Sequence, residues 1–150
     1  METPDWMKLE NQLCFPLYAA SRLVTRAYQP LLANWDLTYP QYLLLLVLWE
    51  KDNQTVSQLC DCLLLETNTL TPLIQRLEKR GLIKREQVPY DKRSSSIKLT
   101  RKGKALKEEL KSVPPALVES LSDKGPSLNE LHALKATLDR LIQGMQSSTP

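Results

Sequence analysis

The stretch TNTLTPLIQRLEKRGLIKRE, residues 67–86, carries the pattern that decides the fold. Its apolar residues are spaced three and four apart, as on one face of an α-helix: Leu70, Leu73, Ile74 and Leu77. Thr67 and Thr69 are both candidate N-caps, and Gly81 stands where helices commonly end. The pattern predicts a helix from about Thr67 to Arg80 whose opposite face is polar and basic.

The residues on either side of this helix predict further elements. Upstream, the apolar run that begins after Thr38 predicts a buried central helix. A shorter helix comes next, and we expect Ser57 to cap it. After Gly81, LIKRE and SIKLT resemble strands and flank the polar, basic segment QVPYDKRSS, which indicates a hairpin with a charged tip. Two short helices joined by a tight turn form a helix-turn-helix, and the hairpin would extend it as a wing.

The positive charge of the chain is concentrated in this region. Residues 67–107 contain twelve Lys or Arg and three Asp or Glu, an excess of +9, whereas the whole chain has a net charge of +3. The other residues are therefore acidic on balance. A basic surface confined to one unit of an acidic chain indicates a polyanionic partner. The ordinary alternative is that exposed lysines and arginines serve only solubility.

The polar face of the predicted helix has the residue types that read duplex DNA. The major groove admits one helix, whose first turns contact base edges while flanking cations contact phosphates. The candidates on this helix are Asn68, Thr69, Thr71, Gln75, Arg76 and Lys79. At the hairpin tip, we expect Lys92 and Arg93 to enter an adjacent, A·T-rich minor groove. We therefore predict that the partner is double-stranded DNA.

Apolar stripes at both ends of the chain predict further helices. Near the amino terminus, Thr3 is the expected cap, and Pro16 is expected to kink or restart the helix near Cys14. Towards the carboxyl terminus we expect a helix over residues 104–112, stopped by prolines, and a last helix capped by Ser127. These stripes exceed what a small helix-turn-helix core covers. We therefore expect them to bury each other in a homodimer, which would read a pseudo-palindromic operator.

Two segments of the basic region identify a family resemblance. LEKRGLIKRE and DKRSSSIKLTRKG, residues 77–86 and 91–103, are similar to the winged helix-turn-helix core of MarR-type bacterial transcription regulators. The resemblance implies that Arg93 enters the minor groove, that Asp91 braces it, and that the first and last helices form the dimer interface.

The resemblance also implies a domain plan. The fold would be mainly α with a small β-hairpin, as a single domain over residues 1–150. The dimerisation helices would span about 5–32 and 104–145, and the winged helix-turn-helix about 39–101.

Cys14 lies in an apolar segment, NQLCFPLYAASR at residues 11–22, and has two interpretations. A free cysteine is often only a small buried apolar side chain. Against this, eight of the nine aromatic residues lie between Trp6 and Trp49, so that aromatic walls and several hydroxyls are available. A hydroxyl that donates to sulfur, or the positive end of a helix restarting near Pro16, favours the thiolate. The thiolate is the form that attacks a peroxide oxygen.

Three amino-terminal segments make the resemblance narrower. LENQLCFPLY, YQPLL and LTYPQYLLLLVLWE are similar to the OhrR-like branch of the MarR family, which senses organic hydroperoxides. The resemblance implies that Cys14 is the sensing thiol and that Tyr28 and Tyr39 hydrogen-bond to it across the dimer interface. It also implies that oxidation releases the operator of a peroxide-detoxifying gene. Tyr18 is a further candidate for supporting the thiolate.

The cysteine content also bears on the fate of an oxidised thiol. No cysteine occurs between Leu63 and Pro150, so the carboxyl-terminal helices supply no resolving cysteine. This favours a mixed disulfide with a small cellular thiol, or overoxidation. We expect packing roles for Cys60 and Cys62.

Two rival functions share part of these observations. A thiol peroxidase would use the same reactive cysteine but has no need of a basic hairpin. A MarR-type repressor could instead be released by a phenolic or other aromatic ligand. That ligand would lodge among Tyr18, Trp35, Tyr39 and Tyr42.

Composition argues against several other classes. The apolar run YLLLLVLW is far shorter than the roughly 20 residues that a membrane span needs, and the first ten residues do not resemble a secretory signal. We therefore expect a cytoplasmic protein with no membrane partner. Three cysteines do not suggest a disulfide framework, and Cys60 and Cys62 on one helix would point apart, unlike a zinc knuckle. We expect neither a metal nor a cofactor.

Overall fold

The computed structural model describes residues 2–148, except for the side chains of Lys92 and Arg93. Within these residues it contains eight α-helices and three β-strands. The helices are α1 (Cys14–Ala27), α2 (Gln29–Leu32), α3 (Tyr39–Glu50), α4 (Val56–Leu63), α5 (Thr67–Lys79), α6 (Arg101–Leu110), α7 (Val113–Ser122) and α8 (Leu128–Ser147). The strands are β1 (Gln54–Thr55), β2 (Ile83–Val88) and β3 (Asp91–Leu99). The chain divides into two compact units, residues 1–111 and 112–150, and the prediction of a single domain stays a prediction.

The central helix α3 begins where the sequence predicted. Thr38 Oγ1 accepts a hydrogen bond from the amide of Gln41, and the Gln41 side chain accepts one from the amide of Thr38. This reciprocal capping box satisfies two amides at the start of the helix. The apolar residues of α3 are buried almost completely, namely Tyr42, Leu44, Leu45 and Leu48. The helix is therefore the centre of the core of the first unit.

The helix-turn-helix is formed by α4 and α5, and its predicted caps were wrong. The cap of α4 is Thr55, whose capping box uses Gln58, whereas Ser57 lies within the first turn. The earlier start is favoured because Gln58 returns a hydrogen bond to Thr55, and Cys60, three residues after Ser57, has no comparable acceptor. The N-cap of α5 is Glu66, so Thr67 is already helical.

The inner face and the end of α5 are as predicted. All four apolar residues of its stripe are buried: Leu70, Leu73, Ile74 and Leu77. Gly81 has a φ of 70°, in the left-handed region. Its amide donates to the carbonyl of Glu78, and the amide of Leu82 donates to that of Leu77. These two bonds form a Schellman motif, which a residue without a Cβ adopts readily.

The predicted hairpin is part of a three-stranded antiparallel sheet in the order β1-β3-β2. β2 and β3 form the hairpin, and β1 pairs with β3 through Gln54 and Ile97. The sequence did not predict β1, because two polar residues in a loop carry no alternating pattern. Asp52 anchors this edge, since its Oδ1 accepts a 2.9 Å hydrogen bond from the amide of Leu99.

Helix α6 begins at Arg101, three residues before the predicted start. Thr100 ends the wing and caps the helix, because its Oγ1 accepts a 3.1 Å bond from the amide of Gly103. Gly103 contacts the backbone so closely that an added Cβ would lie 2.0 Å from the carbonyl oxygen of Leu82. The Gly103 carbonyl also accepts a 2.9 Å bond from Trp49 Nε1. The glycine therefore joins α3, α6 and the end of the helix-turn-helix.

The amino-terminal segment before Cys14 differs from the helix that was predicted to begin at Thr3. Two 3-10 turns, Asp5–Met7 and Leu9–Asn11, precede α1, and no side chain caps the first of them, so Thr3 is not an N-cap. The helix does restart at Cys14, as Pro16 indicated, because a proline is tolerated in a first turn whose amides have no helical acceptor.

In the second unit, the prolines begin a helix and do not stop one. Pro114 and Pro115 lie in the first turn of α7, a helix of 10 residues, where a missing amide has no cost. Ser127 caps α8 as predicted, in a capping box with Glu130.

Replacing Gly103 by alanine should destabilise the first unit, because the new methyl group would overlap the Leu82 carbonyl. Overpacking of this kind costs about 1–3 kcal/mol. The matched control is Gly144→Ala, since Gly144 is helical with nothing within 4 Å of an added Cβ. That change should stabilise the protein by about 0.5–1 kcal/mol. Urea unfolding of both variants checks this, and equal stability of the two would contradict the close approach.

Candidate nucleic-acid interface and thiol site

The exposed face of α5 carries the polar residues that the sequence predicted for DNA contact. Five of the six candidates on the helix are exposed: Asn68, Thr69, Gln75, Arg76 and Lys79. The sixth, Thr71, is half-buried, and its Oγ1 donates a 2.8 Å hydrogen bond to the carbonyl of Thr67. Its hydroxyl is therefore turned toward the helix backbone. Because the apolar face is buried, these side chains form the outer surface of the helix-turn-helix.

The wing adds positive charge that is partly offset by one carboxylate. The carboxylate of Glu86 lies 2.8 Å from Lys98 Nζ and 3.2 Å from Lys84 Nζ. Hydrogen bonds from Lys98 and then Lys84 lower the pKa of Glu86, so its carboxylate stays ionised at neutral pH. Lys84 and Lys98 are directly opposite each other across β2 and β3. Glu86 therefore offsets a repulsion between like charges within the wing.

The tip of the wing contains the three remaining candidates, Asp91, Lys92 and Arg93. Asp91 Oδ2 accepts a 3.0 Å hydrogen bond from Ser94 Oγ at the start of β3. The side chains of Lys92 and Arg93 lie outside the described residues. The bracing of Arg93 by Asp91 therefore stays a prediction, as do the DNA contacts of all three.

Cys14 is exposed in this single chain and is the first residue of α1. No side chain caps that helix, and its third residue, Pro16, has no amide hydrogen. The positive end of the helix dipole is thus next to the sulfur without a carboxylate in the first turn to oppose it. Tyr18, one turn further on, is exposed and lies against the guanidinium of Arg22, 4.5 Å from the ring centroid.

Tyr28 and Tyr39 form a stacked pair rather than two separate side chains. Their ring centroids are 4.3 Å apart, and Tyr42 packs on Tyr28 at 5.9 Å. Burial raises the pKa of Tyr28, and Tyr39 and Tyr42 add to the effect. Burial also raises the pKa of Tyr39.

The other two cysteines lie within the helix-turn-helix. Cys60 Sγ is 3.7 Å from Thr67 Oγ1, and Cys62 Sγ is 3.9 Å from Gln54 Oε1, to which it donates. Both contacts join α4 to the elements next to it. Cys62 is exposed and Cys60 is half-buried, so their packing roles stay a prediction.

The four aromatic residues considered for a small ligand already have other contacts. Tyr39 and Tyr42 pack with Tyr28, and Trp35 Nε1 donates a 2.8 Å hydrogen bond to Glu109 Oε2. Among the residues described by the structure, no three His, Cys, Asp or Glu side chains converge as metal ligands. In residues 2–148, no helix has the length and the apolar content that crossing a bilayer requires.

Comparison with known proteins identifies the family. A protein of Bacillus subtilis named organic hydroperoxide resistance transcriptional regulator is 46% identical over 134 residues, which cover 89% of this chain and 91% of that protein. The family profile described as transcriptional regulator SarA/Rot matches residues 26–110. The chain belongs to the MarR/SarA family of transcription regulators. The resemblance to the branch that responds to organic hydroperoxides is confirmed by the Bacillus protein.

Solved structures of the family confirm the fold. Reduced AbfR, a Staphylococcus epidermidis protein solved bound to DNA, is 38% identical with a TM-score of 0.75, covering 95% of this chain and 96% of that one. AbfR is also known overoxidised on DNA and as a disulfide-formed structure. Apo MarR of E. coli is 25% identical with a TM-score of 0.72, covering 87% and 96%.

MarR/SarA proteins are DNA-binding regulators and not enzymes. The mainly α, winged helix-turn-helix fold predicted from the sequence is confirmed, with a third strand added to the hairpin. The thiol peroxidase alternative is not supported, because the relatives are transcription regulators. The assignment of individual side chains to DNA or to peroxide stays a proposal.

Sequence reasoning missed one group of residues near α5, the second helix of the helix-turn-helix, which we call the recognition helix. Arg80 was counted only as part of the positive charge, and Trp35 only as a ligand wall. In the structure the Arg80 guanidinium donates to the carbonyls of Trp35 and Asp36. Arg80 follows Asp36 by 44 positions and Trp35 by 45, and no local sequence pattern indicates a contact over such a separation.

Exchange of Arg76 should separate charge from base recognition. Arg76→Ala is expected to weaken operator binding and to reduce the salt slope by about one unit per contacted phosphate. Arg76→Lys keeps the charge, so it should keep the slope, but it should lose discrimination by about 1–3 kcal/mol if the guanidinium is bidentate to a base. Fluorescence anisotropy over a salt series measures both. Unchanged affinity of Arg76→Ala would remove Arg76 from the interface.

Proposed function

We propose that this MarR/SarA regulator is a cytoplasmic, homodimeric repressor that releases its operator when an organic hydroperoxide oxidises Cys14. The observation that carries the proposal is the place of Cys14, exposed at the uncapped start of α1. The positive end of a helix dipole stabilises a nearby anion, and in the single chain the sulfur is open to solvent. The 46% identity to the Bacillus organic hydroperoxide resistance regulator supports the same class of signal.

The chemistry at Cys14 is a two-electron oxidation. The thiolate attacks the terminal oxygen of the hydroperoxide, the O–O bond breaks, and the organic alkoxide leaves and takes up a proton as an alcohol. Cys14 becomes a sulfenic acid. An open groove of about 980 Å³ lies beside this segment, and its lining combines Leu9 and Phe15 with five polar or charged residues.

The stacked tyrosines support the thiolate in this proposal. Burial keeps Tyr28 and Tyr39 protonated at neutral pH by raising the pKa of each, so both remain donors. Tyr28 and Tyr39 both donate to Cys14 of a second copy across the dimer interface. Tyr18 supplies a further hydroxyl on the same helix as the sulfur.

Exposed apolar side chains at both ends of the chain support the dimer. In the first unit they include Leu13, Phe15, Leu17 and Leu23. In the second unit, α8 exposes Leu128, Leu134, Leu141, Ile142 and Met145. Surfaces of this kind are costly in a monomer. A two-fold dimer would place two recognition helices about 34–36 Å apart, at successive major grooves of a pseudo-palindromic, A·T-rich operator.

On the operator we propose the roles assigned from the sequence. In the major groove, base edges and phosphates are contacted by Asn68, Thr69, Thr71, Gln75, Arg76 and Lys79. In the minor groove, Lys92 and Arg93 are inserted and Asp91 holds Arg93. The DNA complexes of AbfR support DNA as the partner.

The product that ends repression is a mixed disulfide with a small cellular thiol. The sulfenic acid condenses with the thiol, an S–S bond forms and water leaves. No cysteine lies between Leu63 and Pro150, so the carboxyl-terminal helices have no thiol that could form a disulfide with Cys14. AbfR has been crystallised on DNA in its overoxidised form, which indicates that overoxidation is compatible with DNA binding in that relative. A bulky adduct at an interface alters packing more than added oxygens do.

Cys14→Ser should bind the operator but fail to release it after treatment with cumene hydroperoxide and a small thiol, because the nucleophile is missing. The matched control is Cys62→Ser, since Cys62 is also an exposed thiol. It should be released like the wild type. Gel-shift titration checks both variants, with hydrogen peroxide in parallel. Release of Cys14→Ser equal to that of the wild type would defeat the proposal.

Tyr39→Phe should slow the oxidation of Cys14 while leaving operator binding intact, because the sulfur loses a donor but the ring stacking with Tyr28 is kept. The loss of one hydrogen bond to a charged group corresponds to about 1.5–3 kcal/mol, or roughly a 10- to 150-fold slower reaction. Stopped-flow consumption of cumene hydroperoxide measures the rate. Tyr90→Phe is the control, because Tyr90 is exposed in the wing turn. An unchanged rate in Tyr39→Phe would exclude this tyrosine from the thiol site.

A further inference from the structure

Arg80 is a basic residue next to the recognition helix whose guanidinium is already occupied. It is the C-cap of α5 and is half-buried, unlike the exposed Arg76 and Lys79. Its Nη1 donates a 2.8 Å hydrogen bond to the carbonyl of Asp36, and its Nη2 donates a 2.5 Å bond to the carbonyl of Trp35. Both of these donors are directed at the protein backbone.

The two carbonyls are natural acceptors for this fork. Residues 33–35 form a 3-10 turn, and Asp36 comes directly after it with a left-handed φ of 51°. Carbonyls at the end of a helical turn have no partner within the turn and carry its negative dipole end. The planar guanidinium satisfies two of them at once, which the single ammonium of lysine does less well.

Further bonds fix the same residues to α6. Trp35 Nε1 donates a 2.8 Å bond to Glu109 Oε2, and Lys102 Nζ donates a 3.1 Å bond to the carbonyl of Arg80. The end of the recognition helix, the turn at Trp35 and helix α6 are therefore joined by four hydrogen bonds that all pass through Arg80 or Trp35.

The turn that Arg80 holds lies between the two stacked tyrosines. Tyr28 precedes α2, Tyr39 begins α3, and their rings are 4.3 Å apart. The tyrosine pair thus brackets residues 29–38, which contain α2 and the turn at Trp35. Arg80 bonds this segment to the end of α5, so the segment offers a physical route from the tyrosine pair to the recognition helix.

We propose that Arg80 is a positioning residue that ties the recognition helix to the turn at Trp35 and Asp36, and that this tie carries the oxidation signal to the DNA-binding surface. The positioning role needs only the DNA binding of the family. The transmission of the signal rests on the proposed function. Arg80 itself makes no contact with the operator.

The test compares Arg80→Gln with Lys79→Gln, which removes an adjacent exposed charge from the same helix. Operator dissociation constants are measured over a salt series for reduced protein and for protein treated with cumene hydroperoxide and a small thiol. Reduced Arg80→Gln should bind the operator about 5- to 20-fold more weakly than the wild type, which is the range typical of a lost coupling between sites. The slope of its affinity against salt concentration should be unchanged. Lys79→Gln should lower the slope by about one per phosphate contact. The ratio of oxidised to reduced dissociation constants should fall at least about fivefold in Arg80→Gln and stay at the wild-type value in Lys79→Gln.

Arg80→Lys keeps the charge but cannot hold both carbonyls with a planar fork. We expect its ratio of oxidised to reduced dissociation constants to lie between those of Arg80→Gln and the wild type. Its salt slope should equal that of the wild type. It also serves as the test if Arg80→Gln does not fold, which thermal unfolding reveals. In that case a wild-type ratio in Arg80→Lys overturns the tie.

Each remaining outcome decides one part of the inference. A salt slope reduced by about one in Arg80→Gln would make Arg80 a phosphate contact and overturn the positioning role. A wild-type ratio in Arg80→Gln would overturn the transmission of the signal. If wild-type protein is not released by the hydroperoxide, the proposed function fails and the transmission fails with it, while the salt slope still decides the positioning role.

Discussion

The burial of one apolar face of α5 is the constraint on which the DNA-binding surface depends. Leu70, Ile74 and Leu77 are completely buried, and each such side chain contributes about 1.5–3 kcal/mol. The rotation of the helix about its axis is therefore fixed. The polar residues between them have only the outer surface available, so the outward-facing set is determined by the core and not by the charges themselves. The left-handed Gly81 and the close approach of Gly103 then fix where the wing begins.

The parts of the fold that could be predicted are those with a local signal. The stripe of α5, the glycine that ends it, the capped start of α3 and the cap at Ser127 each use neighbouring residues, and each is confirmed. The errors arise where two local signals compete. Ser57 is a good cap by residue type, but Thr55 has a glutamine three residues later. The pair Pro114 and Pro115 was taken as a stop, although a proline suits the first turn of a helix equally well.

The candidate site was predictable in its residue types but not in its contacts. Composition and spacing indicated the polar face of α5 and the helix start at Cys14, because charge and helix starts are visible in a sequence. The stacking of Tyr28 on Tyr39 depends on how α2 and α3 pack, and no spacing encodes it. The bonds of the Arg80 guanidinium could not be predicted either. Their acceptors are backbone carbonyls, which every residue has, so the residue types give no signal for the contact.

The distribution of hydrogen bonds explains how a small change near the amino terminus can matter to a distant helix. An isolated surface contact between two elements contributes little, because either side chain can rotate away. The Arg80 bonds differ, since their acceptors belong to the backbone of a turn that is itself closed by the tyrosine pair. A shift of that turn cannot be absorbed by a side-chain rotation at the acceptor end. Breaking the two charge-assisted bonds costs about 1.5–3 kcal/mol each, so a shift of the turn that the Arg80 side chain does not follow is passed to the end of α5. The proposed dimer has to match two grooves at once, so a small movement of each recognition helix would weaken the whole complex.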